Sequence, residues 1–220
     1  MKYLLVIILF LANFVHAHTA RLDNKGGHNC SEKSKAKGLC SEYHFHNIPR
    51  SADVEVTEYD RDTWPHWVDE DKDCQDARAE ALIRDSLVEV KFKRNKGCNV
   101  SWGQWRVPYT NEVILKASST DADHVVPLGH AHFYGAMNWS REQKRAFAND
   151  LENILIVSAS ANRSKGDRSP NEWMPPYQPY HCTYLKKWVY IKLKYSLTYG
   201  SAEQSFLRSK SKECQLELYI

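Results

Sequence analysis

The chain has 220 residues, 42% of them hydrophobic and 26% charged, which is enough to bury one sizeable core; wholesale disorder is excluded and one domain with a short extension is favoured. Lys+Arg 30 against Asp+Glu 27 leaves a formal charge of +3, too small for a general neutraliser of nucleic acid, so any polyanion must be met by a local patch.

At the start, Met1-Lys2 followed by the apolar run Tyr3 to Val15 and by Val15-His16-Ala17 reads as a signal peptide over residues 1–17. The run is shorter than the ~20 apolar residues that span a bilayer, so no membrane association is expected after cleavage. Export makes the cysteines legible as three disulfides among Cys30, Cys40, Cys74, Cys98, Cys182 and Cys214. Neighbour order suggests Cys30 with Cys40, Cys74 with Cys98, and Cys182 with Cys214, although sequence alone does not choose.

Residues 18–53 are polar, with Lys25, Lys33, Lys35 and Lys37 set between Gly and Ser, and read as a basic N-terminal arm. The composition becomes globular over 54–220. Asp73 precedes a helical stretch through Ile83 with Ala77, Ala81 and Leu82 on one side. Val88, Val90 and Phe92, then Cys98, Val100 and Trp102, alternate with polar residues around Asn95-Lys96-Gly97, a β-hairpin pattern. Asp121 to Pro127 opens a β-like run. Ser140 to Gln143 is a capping box for a helix through Asn149 with Ala146 and Phe147 turned inward. Asn153 to Val157 is a strand candidate, Pro175 to Pro179 an extended loop, and two helices close the chain, Tyr184 to about Leu197 and one opened by Ser201 to Gln204. The expected class is α+β, a helix-rich single domain.

Asp121-Ala122-Asp123-His124, followed downstream by Asn153 and, nine residues on, Asn162-Arg163-Ser164-Lys165, resembles the HNH (ββα-metal) nuclease motif. Further blocks widen the match: Tyr59-Asp60-Arg61-Asp62, Pro65-His66-Trp67, Cys74-Gln75-Asp76-Ala77-Arg78, Gly103-Gln104-Trp105, Phe147-Ala148-Asn149-Asp150 and Trp173-Met174-Pro175-Pro176. In this order they look like the secreted HNH endonuclease-like proteins related to the C-terminal nuclease domain of GmrSD-type restriction enzymes. The resemblance runs from about Tyr59 to Cys214 and implies a ββα-metal core. It departs at Asn162, where the family often has His, and at Gly129 to Ala136, which is richer in His and aromatics than usual; His130 and His132 are expected to face outward.

The residue types suit phosphodiester hydrolysis, which needs an activated water and a cation to bear phosphoryl charge. Neutral histidine, with a reference pKa of about 6.5, is a good base near pH 7, and His124 is assigned that part. Asn153 is expected to fix the other ring nitrogen, through its backbone or its side chain. Asp123 and Asn162 offer hard oxygens suited to one Mg²⁺ or Mn²⁺. Arg163, Lys165 and Arg168 bracket the site as phosphate contacts. Arg78 is assigned to the interior. The reading is a monomeric secreted endonuclease, extracellular or periplasmic, acting on DNA, with RNA left open, and with little sequence preference. The alternative is a disulfide-stapled module that grips nucleic acid or glycan without cutting it.

Overall fold

The computed structural model describes residues 58–216 and, before them, two short strands, β1 (Gly27–His28) and β2 (His44–Phe45), paired antiparallel. The expected signal peptide, the rest of the basic arm and Cys30 with Cys40 lie outside the described residues.

Helix α1 (Ala77–Asp85) starts where Asp76, not Asp73, accepts a hydrogen bond from the backbone N–H of Ala79 at 2.8 Å. Capping by the nearer aspartate satisfies an otherwise unpaired donor of the first turn. The helix buries Ala77, Ala81 and Leu82 as its spacing requires. The hairpin expectation holds in reduced form: β3 (Lys91–Phe92) is two residues long and pairs with β4 (Val100–Val107), and β4 also pairs with β5 (Glu112–Lys116). That third strand has few buried side chains, which is why no alternation announced it.

The second sheet places the conspicuous residues. Strand β6 (Thr120–His124) pairs antiparallel with β7 (Ile154–Ser158) in unbroken register from Thr120↔Ser158 to His124↔Ile154. Every residue of β7 is buried, consistent with a short continuous apolar run. Between the strands lie α2 (Leu128–Ala131), a single π-helical segment at His132–Ala136, and α3 (Arg141–Ala148). The Ser140/Gln143 capping box is present. Phe147 is buried as expected, but Ala146 is exposed and Ala148 is buried instead, because the last turn of this short helix runs directly into the core. After β7 comes α4 (Ala159–Lys165), capped by Ser158.

A 3-10 turn at Gln178–Tyr180 sits inside the proline-rich stretch, then α5 (His181–Lys194) and α6 (Ser201–Cys214) close the fold. Leu185, Trp188 and Val189 of α5 are buried, and the Cys182–Cys214 disulfide ties α5 to the end of α6. The Cys74–Cys98 bridge ties the entry of α1 to the β3–β4 hairpin. Two of the three expected disulfides are therefore observed. The architecture is mixed helix and sheet with small antiparallel sheets; the larger core cluster includes Trp64, Phe147, Tyr184 and Trp188, and the smaller packs α1 against β4 and β7.

His130 and His132, expected to face outward, are buried. Helix α2 is enclosed on all sides, so its polar side chains find internal partners: Lys192 Nζ lies 2.9 Å from His130 Nε2 and 2.8 Å from Glu203 Oε1.

Candidate active site

Alternation along β6 puts Asp121 and Asp123 on one face and Ala122 and His124 on the other. The first face looks at α4, whose Asn162 and Lys165, three residues apart, project from one side of the helix. Asn162 Nδ2 donates to Asp121 Oδ2 at 3.1 Å, and Lys165 Nζ donates to Asp123 Oδ1 at 2.9 Å and to the His124 carbonyl at 2.8 Å. Tyr109 donates its hydroxyl to Asp123 Oδ2 at 2.7 Å. Each oxygen of Asp123 thus receives one protein donor and keeps one lone pair. Burial pushes the Asp123 carboxyl above its ordinary pKa, while Lys165 and Tyr109 pull against that shift.

On the opposite face, His124 is held through one ring nitrogen: Nε2 lies 2.7 Å from the Ala148 carbonyl, to which it can only donate. The carbonyl therefore selects the tautomer with a bare Nδ1, which has no hydrogen-bond partner among the described residues. Trp67 stacks on the imidazole at 5.4 Å and 20°. Burial, reinforced by Arg61, Lys165 and His66, lowers the ring's pKa to about 3, so it is neutral at physiological pH.

Asn153 makes no hydrogen bond to that ring among the described residues. Its carboxamide accepts from Val126 N–H at 2.9 Å and donates to Val126 C=O at 3.1 Å, while its own carbonyl accepts from Val125 N–H at 2.7 Å. It clamps the chain as it leaves β6, and the ring-orienting part falls to Ala148. Lys165, expected at a substrate phosphate, is fully buried in the ion pair with Asp123. Arg163 is exposed, and Arg168 is half-buried with Nε donating to the Lys165 carbonyl at 3.0 Å. Arg78 belongs to the interior, donating to the carbonyls of Ala117 and Thr120, both at 3.1 Å, and so positions the entry of β6.

Tyr109, Trp67, Asp121 and the Ala148 carbonyl complete the site although sequence reasoning gave them no part. Asp121 carried a signal, its two-residue spacing from Asp123. A backbone carbonyl 24 positions away carries none. Asp167 lies beside Gly129: a Cβ there would come within 2.5 Å of its Oδ2, so a larger residue would have to displace the Asp167 side chain. The donor set of Asp121, Asp123 and Asn162 consists of hard oxygens, and Asn162 Oδ1 accepts no hydrogen bond among the described residues. Those features fit a hard divalent cation.

Residues 75–210 match the family described as GmrSD restriction endonucleases, C-terminal domain. The chain belongs to this family. An uncharacterized secreted protein from the fungus Arthroderma benhamiae is 40% identical over 159 residues, covering 71% of this chain and 76% of the relative. No solved structure matches. The matched span contains every residue of the site except Trp67.

Proposed function

We propose that the protein is a secreted, metal-dependent endonuclease that hydrolyses phosphodiester bonds of nucleic acid with little sequence preference, and that β6, β7 and α4 form its ββα-metal core. Membership in a family of restriction endonuclease domains supports the reaction class. The secreted relative and the two disulfides support export. Among the described residues, no helix is long and apolar enough to cross a membrane.

The observation that carries the reading is His124, fixed through Nε2 on the Ala148 carbonyl with Nδ1 left open at the end of the strand that carries Asp123. In that state Nδ1 offers a lone pair to a water proton, and the imidazole needs no reorientation before it accepts one. Asp123 and Asn162, with Asp121 as a third oxygen, would hold one Mg²⁺ or Mn²⁺. When bound, such an ion lowers the pKa of its water and offsets charge on the phosphoryl group. Tyr109 and Lys165 keep the Asp123 carboxylate in place. Asn153 holds the strand end that carries His124. Arg163 is the exposed cation best placed to meet a flanking phosphate, with Arg168 behind it.

The test is digestion of plasmid DNA and of single-stranded RNA by the mature chain in Mg²⁺, in Mn²⁺ and in chelator. A His124→Gln variant, whose Nε2 can still donate to the Ala148 carbonyl, should fold normally by circular dichroism and cut on the order of 10²- to 10⁴-fold more slowly. An unchanged rate in that variant overturns the assignment. Polyanion binding with no cleavage in any divalent ion would instead establish the protein as a binding module.

A further inference from the structure

Away from β6 and α4, the segment between Trp67 and α1 is densely acidic: Asp69, Glu70, Asp71, Asp73, Asp76 and Glu80 fall within twelve residues, with only Lys72 and Arg78 to offset them. The ligand oxygens of Asp69, Asp71 and Asp73 lie within 4.8 Å of one another, although like charges so close repel. One of these oxygens has no protein explanation. Asp69 Oδ1 is cut off from solvent and meets no hydrogen-bond donor, whereas its twin Oδ2 accepts from Cys74 N–H at 2.9 Å. A buried carboxylate oxygen left without a donor is costly, and a cation would relieve that cost.

The spacing names the cation. Asp69, Asp71, Asp73 and Glu80 stand at positions 1, 3, 5 and 12 of the twelve-residue loop by which helix–loop–helix proteins bind Ca²⁺, and Gln75 stands at position 7, where the main-chain carbonyl serves. Position 6 of such loops is glycine because the chain turns sharply there; here it is Cys74, whose φ of +76° makes the same turn and whose disulfide to Cys98 holds it. Glu80 stands on a different element, the first turn of α1. The loop is closed at its base by Ala77 N–H on the Val68 carbonyl at 3.1 Å.

We infer that Asp69, Asp71, Asp73 and Glu80 form a structural Ca²⁺ site, separate from the strand–helix site, that braces the segment between Trp67 and α1. Four carboxylates and a carbonyl suit the high coordination number of Ca²⁺ better than the strict octahedron of Mg²⁺. The ion would sit between two elements that reach the candidate active site, Trp67 stacked on His124 and α1 carrying Arg78. The inference does not depend on the nuclease reading.

The test is thermal unfolding of the mature chain, stripped with chelator and then titrated with CaCl₂ or MgCl₂. If affinity lies in the range of extracellular modules, about 10⁻⁴ to 10⁻³ M, then 10 mM Ca²⁺ should raise Tm by about 5 °C, and Mg²⁺ by much less. Glu80→Gln and Asp71→Asn should each weaken the Ca²⁺ response about tenfold while leaving Tm in chelator near that of the parent. Asp123→Asn should retain the response. The inference fails if Ca²⁺ leaves Tm unmoved, if the response survives both loop substitutions, or if it disappears in Asp123→Asn.

Discussion

Two buried lysines, Lys165 and Lys192, each pair with a buried carboxylate, and the surroundings of the two pairs differ. Lys192 and Glu203 are closed on all sides: Glu203 also accepts from Trp188 Nε1 at 2.6 Å and from Gly200 N–H at 3.1 Å, and the rings of Tyr134 and Tyr199 lie 4.9 and 4.5 Å from the ammonium. Lys165 and Asp123, in contrast, adjoin the half-buried Asp121 and Asn162, and the carboxylate keeps spare lone pairs. The same ion pair therefore serves as a fastener where every valence is filled and as a positioning device where some are not. Buried pairs of either kind are weak evidence for net stability, but breaking one leaves an uncompensated charge.

Substitutions should separate the two roles. Lys192→Met strands Glu203 and should cost about 3–5 kcal/mol in urea denaturation, with the residual folded protein cutting DNA at the parent rate; Lys165→Met should cost a similar amount and also abolish cutting. Equal effects on cleavage would erase the distinction. Next in size, replacing Cys182 and Cys214 with serine opens the span of 32 residues that joins α5 to α6, and should cost about 3–4 kcal/mol without changing the rate. Tyr109→Phe removes a donor from Asp123 and should cost about 1.5–3 kcal/mol, a loss that urea titration resolves and that should leave Lys192 mutants additive with it.

The smallest effect is a pH slope. His130 faces Lys192, Glu203, Tyr134 and Trp188, and burial together with Lys192 lowers its pKa to about 4. The unfolded chain, with a histidine pKa near 6.5, therefore binds the proton more readily. The contribution is fully present above about pH 6.5 and is lost as pH falls toward 4, at up to about 1.4 kcal/mol per pH unit. His130→Gln should remove this share of the slope between pH 6.5 and 5 in denaturant titrations and leave the share of His124, which burial lowers in the same direction; an unaltered slope would place its origin elsewhere.

Local chemistry was readable where it is decided locally. The Ser140/Gln143 box, the buried run of β7 and the inward stripe of α5 follow from spacing alone, while the resemblance directed attention to β6 and Asn162, whose carboxamide meets Asp121. What was not legible depends on partners distant in sequence. His130 looks like a surface residue until Lys192 and Glu203, more than 60 positions on, are folded over it. Lys165 looks like a phosphate ligand until the strand carrying Asp123 is laid beneath α4. Asn153 looks able to orient a catalytic ring, yet the register of β7 points both ends of its carboxamide at Val126.

The pairing of His124 with Ile154 spans thirty residues, and everything between them must close up before the strands meet. Loop closure of this kind is slow and comes after local helices form. A chain still emerging from the ribosome therefore holds Asp123 and Asn162 apart until the residues of β7 and α4 are free to fold back on β6.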